Sequence, residues 1–172
     1  AGLARDFWQQ HPPVRGDLGE WGAALPAFIA VNALLAGEPY LADSARLDWL
    51  VHQASRATDM PDEAPALEAL AQHAPEDLHL LLRPGCAVLA SQWPIAAIWQ
   101  AHQRQGDDRF ATVREAFAAA RADTAFIWRD GFFVRVDALG AGVGAFDAAV
   151  LRGESLAAAL DELTPVRAIV AH

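Results

Sequence analysis

The segment AFIWR-DG-FFVRV, residues 125–136, is the strongest local signal in the chain. The dipeptide Asp130-Gly131 separates two runs rich in aromatic and β-branched residues, which is the pattern of a two-residue β-hairpin. In a small sheet one of these strands is expected at an edge, where an extended peptide can be added as a further strand. A covered or blunted edge is the alternative. We therefore predict partner binding at Phe132, Phe133, Val134, Arg135 and Val136.

Helical patterns dominate the first half of the chain. Apolar residues recur there at helical spacing, and Asp17 and Glu20 have the spacing of a capping box. Proline and glycine between the patterns indicate where each helix stops. The predicted helices cover residues 3–10, 17–35 with a break at Pro26, 40–58 and 65–73.

The second half has a mixed pattern. Besides the hairpin, strands are predicted at 78–82, 87–91 and 166–170. Helices are predicted at 93–102, 110–122, 137–152 and 155–163, the last with Ser155 as its N-cap. These elements predict an α+β fold, in which a helical N-terminal half (residues 1–74) packs on a smaller C-terminal half (residues 75–172) with a small antiparallel sheet, the hairpin 125–136 and helices.

Composition and charge narrow the function classes. The chain has 172 residues, of which 53% are hydrophobic, and its formal net charge is −9. Its 13 basic residues are scattered among 22 acidic ones, which argues against DNA binding because DNA binders present basic surfaces to phosphates. A single cysteine excludes an intrachain disulfide framework. No signal-peptide pattern and no long apolar run is present, so a cytoplasmic location without a membrane span is predicted.

The residue types that carry catalysis are present without a catalytic arrangement. The glycines at 140, 142 and 144 lack the Lys-Ser/Thr of a phosphate-binding loop, and no two histidines are four residues apart. Cys86 lies in an apolar stretch without an adjacent base. We therefore predict that the chain is not an enzyme and has no catalytic, cofactor-binding or metal-binding residue. A small hydrolase, which needs a paired nucleophile and base, is the weakest alternative.

Asp43 and Arg46 are three residues apart in the predicted helix 40–58, where their side chains can form an ion pair. A surface or inter-helix salt bridge is the ordinary interpretation of such a pair. A second interpretation is that this pair holds the helical half in a shape that a partner recognises. Both residues are therefore added to the predicted partner-binding set.

Several stretches resemble the HvfC/BufC family, whose N-terminal region also carries a DNA-binding label. The resemblance spans nearly the whole chain, and its most specific part is the undecapeptide at 39–49. The matching stretches are HPP at 11–13, GDLGEWG at 16–22, LPAF at 25–28, PYLADSARLDW at 39–49, QWPIAAIWQAH at 92–102 and LRGESL at 151–156.

The resemblance implies a non-catalytic accessory subunit. Such proteins pair with a multinuclear non-heme iron oxidase and help to bind the leader of a ribosomally made precursor peptide, while the iron belongs to the oxidase. Family members carry further helical turns before the His-Pro-Pro segment, so residues upstream of this chain are expected. The alternative function is a DNA-binding transcriptional regulator, which requires a basic recognition helix that the sequence does not contain.

Overall fold

The computed structural model describes residues 2–60 and 67–163. Within these ranges it contains eight α-helices and one three-stranded sheet, which confirms the α+β fold class. The α-helices are α1 Gly2–Gln10, α2 Leu25–Ala30, α3 Leu41–Arg56, α4 Leu67–Gln72, α5 Ile95–Gln103, α6 Ala111–Ala118, α7 Ala141–Leu151 and α8 Leu156–Glu162. The strands are β1 Ala87–Ser91, β2 Asp123–Asp130 and β3 Phe133–Leu139.

The sheet is antiparallel, with the order β1-β2-β3. The hairpin between β2 and β3 confirms the predicted element, but its loop is displaced by one residue. Asp130 pairs with Phe133, so the two loop residues are Gly131 and Phe132 instead of Asp130 and Gly131. Gly131 has a φ of +59°, and a positive φ at the first loop position is what a type II′ turn requires.

Helices cover one face of the sheet to form the main core. Leu47 of α3 and Ile95 of α5 are fully buried in one cluster with Ile127 of β2. Apolar burial of this kind is the main source of folding free energy. The cluster combines residues from both predicted halves of the chain, because α3 belongs to the first and the sheet to the second.

A smaller cluster lies on the other side of the sheet. Ala149 and Val150 of α7 pack there with Ala159 of α8. Near the start of α7, a Cβ on Gly144 would lie 2.5 Å from the methyl carbon of Thr124, so α7 approaches β2 closely only because residue 144 is glycine. Ser155 caps α8 as predicted, since its hydroxyl accepts from the Ala158 N–H at 3.3 Å.

The predicted helix 17–35 is wrong as a single element. The chain forms a 3₁₀ segment at Leu18–Ala24, the short helix α2 and a second 3₁₀ turn at Ala33–Leu35. Asp17 caps the first segment by accepting from the Gly19 N–H at 2.8 Å, and Pro26 lies in the first turn of α2. Proline has no N–H to donate and is tolerated in a first turn, so α2 begins beside it.

Two predictions in the second half are also wrong. Residues 78–82 form an isolated bridge, His79 with Ser155, instead of a strand. The predicted helix 137–152 begins only at Ala141, because β3 continues through Asp137 and Leu139, which pair with Phe126 and Thr124. Strand pairing thus overrides the local helical propensity of this segment. The predicted strand 166–170 lies outside the described residues.

Candidate functional site

Strand β3 is an end strand of the sheet and carries the five predicted partner-binding residues or adjoins them. In a two-residue hairpin the closing pair exchanges both main-chain hydrogen bonds, and bonded pairs then alternate along the ladder. With Asp130 and Phe133 as the closing pair, the N–H and C=O of Val134 and Val136 are directed away from β2. These main-chain groups form the free edge of the sheet.

One position of the free edge is already occupied. The side-chain amide of Gln100 on α5 donates to the main-chain oxygen of Val136 at 2.9 Å. No hydrogen bond to the outward groups of Val134 is found among the residues that the structure describes. The unoccupied part of the edge is therefore centred on Val134, close to the hairpin loop.

The side chains at this end of the hairpin differ strongly in exposure. Phe132 in the loop is 92% exposed and Phe133 is 69% exposed, whereas Val136 is buried in the core. Arg135 pairs with Asp130 at 3.2 Å, and its guanidinium carbon lies 5.9 Å from the centre of the Phe133 ring. Two exposed aromatic side chains and one cation thus adjoin the free edge, a composition enriched at protein interfaces.

Arg129 fixes the hairpin to the rest of the molecule. Its side chain is only 16% exposed and donates to the main-chain oxygen of Ala57 at 2.5 Å and to the carboxylate of Asp59 at 2.6 Å. The same guanidinium donates to the main-chain oxygen of Gly131 in the loop. Charge-assisted bonds of this kind are stronger than neutral ones, so the loop is held against the end of α3.

The pair Asp43 and Arg46 lies elsewhere. Their side chains form the predicted ion pair at 3.0 Å, and the second oxygen of Asp43 accepts from the hydroxyl of Ser91 at 2.7 Å. Ser91 ends β1 and is paired with Asp123 at the start of β2, whereas the hairpin loop follows the end of β2. The predicted partner-binding residues are therefore at opposite ends of α3 and do not form one site.

A cavity between α3, α5 and α6 was not predicted from the sequence. It has a volume of about 470 Å³, and its wall is mainly apolar and aromatic, with Tyr40, Trp99, Phe110 and Phe117 among its residues. Ligand pockets in proteins commonly have this size and composition. Three elements that are distant in sequence enclose it, so no local pattern indicates it.

Asp48 and His102 are the charged or titratable groups in the wall of this cavity besides Tyr40. Asp48 is partly exposed, yet desolvation by the surrounding wall raises the pKa of its carboxyl, and the charge of His102 acts in the opposite direction. No hydrogen bond or ion pair to the Asp48 carboxylate is found in the described ranges. The hydroxyl oxygen of Ser44, another residue of the wall, is buried and has no hydrogen-bond partner there either.

A metal centre and a reactive thiol are two further kinds of site that the described ranges could hold. No cluster of three or more His, Cys, Asp or Glu side chains that could hold a metal ion is found there. Burial, and secondarily the charge of Asp147, raise the pKa of the Cys86 thiol, which disfavours the nucleophilic thiolate. That the chain is not an enzyme stays a prediction.

No protein-family model, curated protein or solved structure matches the chain. The resemblance to the HvfC/BufC family therefore stays a prediction from the sequence stretches quoted above. Within the described ranges, no helix combines the length and the apolar composition that crossing a membrane requires.

Proposed function

We propose that this chain is a non-catalytic accessory subunit, which pairs with a multinuclear non-heme iron oxidase and helps to bind the leader of a ribosomally made precursor peptide. The observation that carries the proposal is the free edge at Val134, whose outward main-chain groups have no hydrogen-bond partner among the described residues and lie beside the exposed Phe132 and Phe133. An extended peptide can satisfy these groups by adding a fourth strand. The resemblance to the HvfC/BufC family supports a leader peptide as the ligand and an iron oxidase as the partner.

The geometry limits how the peptide strand binds. Main-chain hydrogen bonds are available at Val134, while Gln100 competes for the oxygen of Val136. Neighbouring strands place paired residues on the same face of a sheet. Side chains of the added strand would therefore lie beside Phe133 and Arg135, on the face opposite the main core. This surface favours a peptide with an apolar residue opposite Phe133 and an acidic residue near Arg135.

The helical half supplies a separate surface for the oxidase. Val31 and Leu34 lie in the turns that follow α2, and both side chains are more than four-fifths exposed, at 83% and 88%. Leu18 in the preceding 3₁₀ segment is exposed as well. Exposed apolar side chains are candidates for contact with a partner protein. The oxidase would dock at Val31 and Leu34.

Peptide binding is tested by replacing Val134 with proline. Proline at this position removes an outward N–H and leaves the β2–β3 ladder intact, so we expect a folded protein. We expect the variant to lose at least ~10-fold in affinity for a fluorescein-labelled leader peptide, measured by fluorescence anisotropy. Ala90→Pro is the matched control, because Ala90 is exposed and lies on β1, the other end strand.

Unchanged leader affinity in Val134→Pro would refute binding at this edge. Loss of affinity in Ala90→Pro alone would assign the peptide to β1 and refute the proposed strand. Circular dichroism and thermal unfolding of both variants show whether either change acts through the fold.

Oxidase pairing is tested by co-expression with a multinuclear non-heme iron oxidase and co-purification, followed by gel filtration. We expect a stoichiometric complex that Leu34→Asp weakens. Leu81→Asp is the control, because Leu81 is 87% exposed in the other half of the chain. Failure of the two folded proteins to associate in the presence of the precursor would refute the accessory role, and binding to DNA that strengthens as salt is lowered would then support the regulator.

A further inference from the structure

The cavity between α3, α5 and α6 has a polar composition that apolar packing alone does not explain. Asp48 places a carboxylate at an aromatic wall without a hydrogen bond or an ion pair from the described residues. Ser44, in the same wall, has a buried hydroxyl without a partner in the described ranges. The buried Ser44 hydroxyl therefore costs free energy that a bound ligand can offset, whereas Asp48 is exposed at the rim of the cavity, where its carboxylate can meet a ligand.

We propose that this cavity binds a small organic amine, with its ammonium group at Asp48 and its apolar body between Trp99 and Phe117. The inference concerns this chain alone and does not depend on the proposed peptide or oxidase. The site nevertheless lies within one helix of the peptide edge, because α5 carries both Trp99 and Gln100.

Charge and ring chemistry both select a cation. A carboxylate attracts an ammonium group most strongly where solvent is partly excluded, as at the rim of this cavity. The faces of aromatic rings attract cations as well. The guanidinium of Arg109 lies 4.8 Å from the centre of the Phe110 ring, so this ring already has a cation and the ligand is placed at Trp99 and Phe117 instead. The formal net charge of −9 favours the approach of a cation over an anion.

The other polar groups of the wall leave this role to Asp48. Burial, and secondarily the neighbouring carboxylate of Glu38, raise the pKa of the Tyr40 hydroxyl, and the Tyr40 ring packs on Phe117 with centroids 5.3 Å apart. His102 packs on Phe110 with centroids 5.2 Å apart. Both rings thus pack on neighbours. The Asp48 carboxylate accepts no hydrogen bond from the described residues, and the nearby His102 acts on it only through its charge. A volume of about 470 Å³ accommodates a ligand with one aromatic ring or a short alkyl chain.

Phenethylamine is the probe, and 2-phenylethanol and 3-phenylpropionate are its neutral and anionic counterparts. Each is titrated into the ¹⁵N-labelled chain, and dissociation constants come from amide and indole N–H shifts. We expect phenethylamine to shift the Trp99 indole signal and to bind at least ~10-fold more tightly than the alcohol. This comparison uses the unmodified chain and so does not depend on any variant folding.

Asp48→Asn removes the carboxylate with little change in shape, and Glu115→Gln is its control. Glu115 is exposed on α6 outside the cavity, so both variants have the same net charge. We expect Asp48→Asn to abolish the preference for the amine and Glu115→Gln to retain it. The proposal would be overturned if the unmodified chain bound amine and alcohol equally, bound the acid more tightly, or bound none of the probes. Equal effects of the two variants would also overturn it.

Discussion

The side-chain amide of Gln100 donates to the main-chain oxygen of Val136 at 2.9 Å, so α5 blocks the free edge of the sheet two residues beyond Val134. Edge strands are commonly protected from unwanted pairing by such a cover. Here the cover is partial, because it takes one acceptor and, within residues 2–60 and 67–163, nothing bonds to the outward groups of Val134. The length of the peptide strand that can be added is therefore set by a single side chain.

Gln100→Ala is expected to lengthen the available edge. The variant should lose about 1 kcal/mol of stability with the hydrogen bond, as measured by urea unfolding. It should also gain affinity for a leader peptide extended by two residues at the end that reaches Val136, whereas the unmodified chain gains nothing from the extension. Gln105→Ala is the control, because Gln105 is exposed between α5 and α6. If the extended peptide bound Gln100→Ala and the unmodified chain with the same gain in affinity, the side chain of Gln100 would not limit the edge.

Arg129→Ala is expected to cost about 2–3 kcal/mol of unfolding free energy, because a largely buried guanidinium holds the loop, Ala57 and Asp59 together. Arg114→Ala is the matched control. Arg114 forms an exposed ion pair with Asp108, and such pairs contribute less than ~1 kcal/mol. Chemical denaturation measures both variants, and equal losses would show that the contacts of Arg129 contribute no more than a surface pair.

Gly85→Ala is expected to be more destabilising than Gly153→Ala. Both residues have positive φ, +86° and +76°, which disfavours any residue with a Cβ. A Cβ at 85 would also lie 2.9 Å from the Cβ of Ala57 on the neighbouring segment, whereas at 153 it meets open space. We expect a loss of about 1 kcal/mol at 153, from backbone strain alone, and at least ~2 kcal/mol at 85.

Thermal unfolding measures the two glycine variants under the same conditions. Because both replacements introduce the same strain, the difference between them reports the steric contact at Ala57. A loss at 153 that equals or exceeds the loss at 85 would contradict this assignment.

Asp48 makes the stability depend on pH in a defined direction. Its pKa is raised in the folded chain, so the folded state holds this proton to a higher pH than the unfolded state does. The contribution of Asp48 to the free energy of unfolding is therefore greatest at low pH. It falls as the pH rises through the raised pKa, because the folded state then carries the unfavourable charge. Asp48→Asn, which cannot ionise, should be the more stable chain at neutral pH, by less than ~1 kcal/mol because the group is partly exposed.

The difference between the two chains should shrink as the pH falls towards the ordinary pKa of an aspartate, since both side chains are then neutral. Thermal unfolding at several pH values measures it, with Glu115→Gln as the control. A difference that grows as the pH falls would contradict the raised pKa.

The hairpin was predictable, but its register was not. Both Asp-Gly and Gly-x dipeptides form two-residue loops, and the local sequence does not decide between them. The choice matters, because the predicted loop would direct the main-chain groups of Phe133 and Arg135 outward instead of those of Val134 and Val136. Proline at 134 would then break the ladder, whereas in the observed register it removes an outward donor.

The remaining differences arise from contacts between distant residues. A Cβ on Gly22 would lie 2.9 Å from the ring of Trp49. The segment that was predicted as one helix, 17–35, thus packs closely on α3 at Gly22, and the local sequence pattern does not show this contact. The cavity escaped prediction for the same reason, since Asp48 and Trp99 come from helices separated by the whole of β1. Helix α3 itself was confirmed, because a long periodic pattern is sufficient to define it.

The core that α3 shares with the sheet has a consequence for synthesis. Val136 is added to the nascent chain 80 residues after Arg56, the end of α3. Until then, the apolar positions Leu47 and Ala54 lack the strands that bury them in the finished molecule. Contacts between such distant positions slow folding, because a long loop must close before they form. While only the first half of the chain has been synthesised, its exposed apolar positions thus make it prone to aggregation.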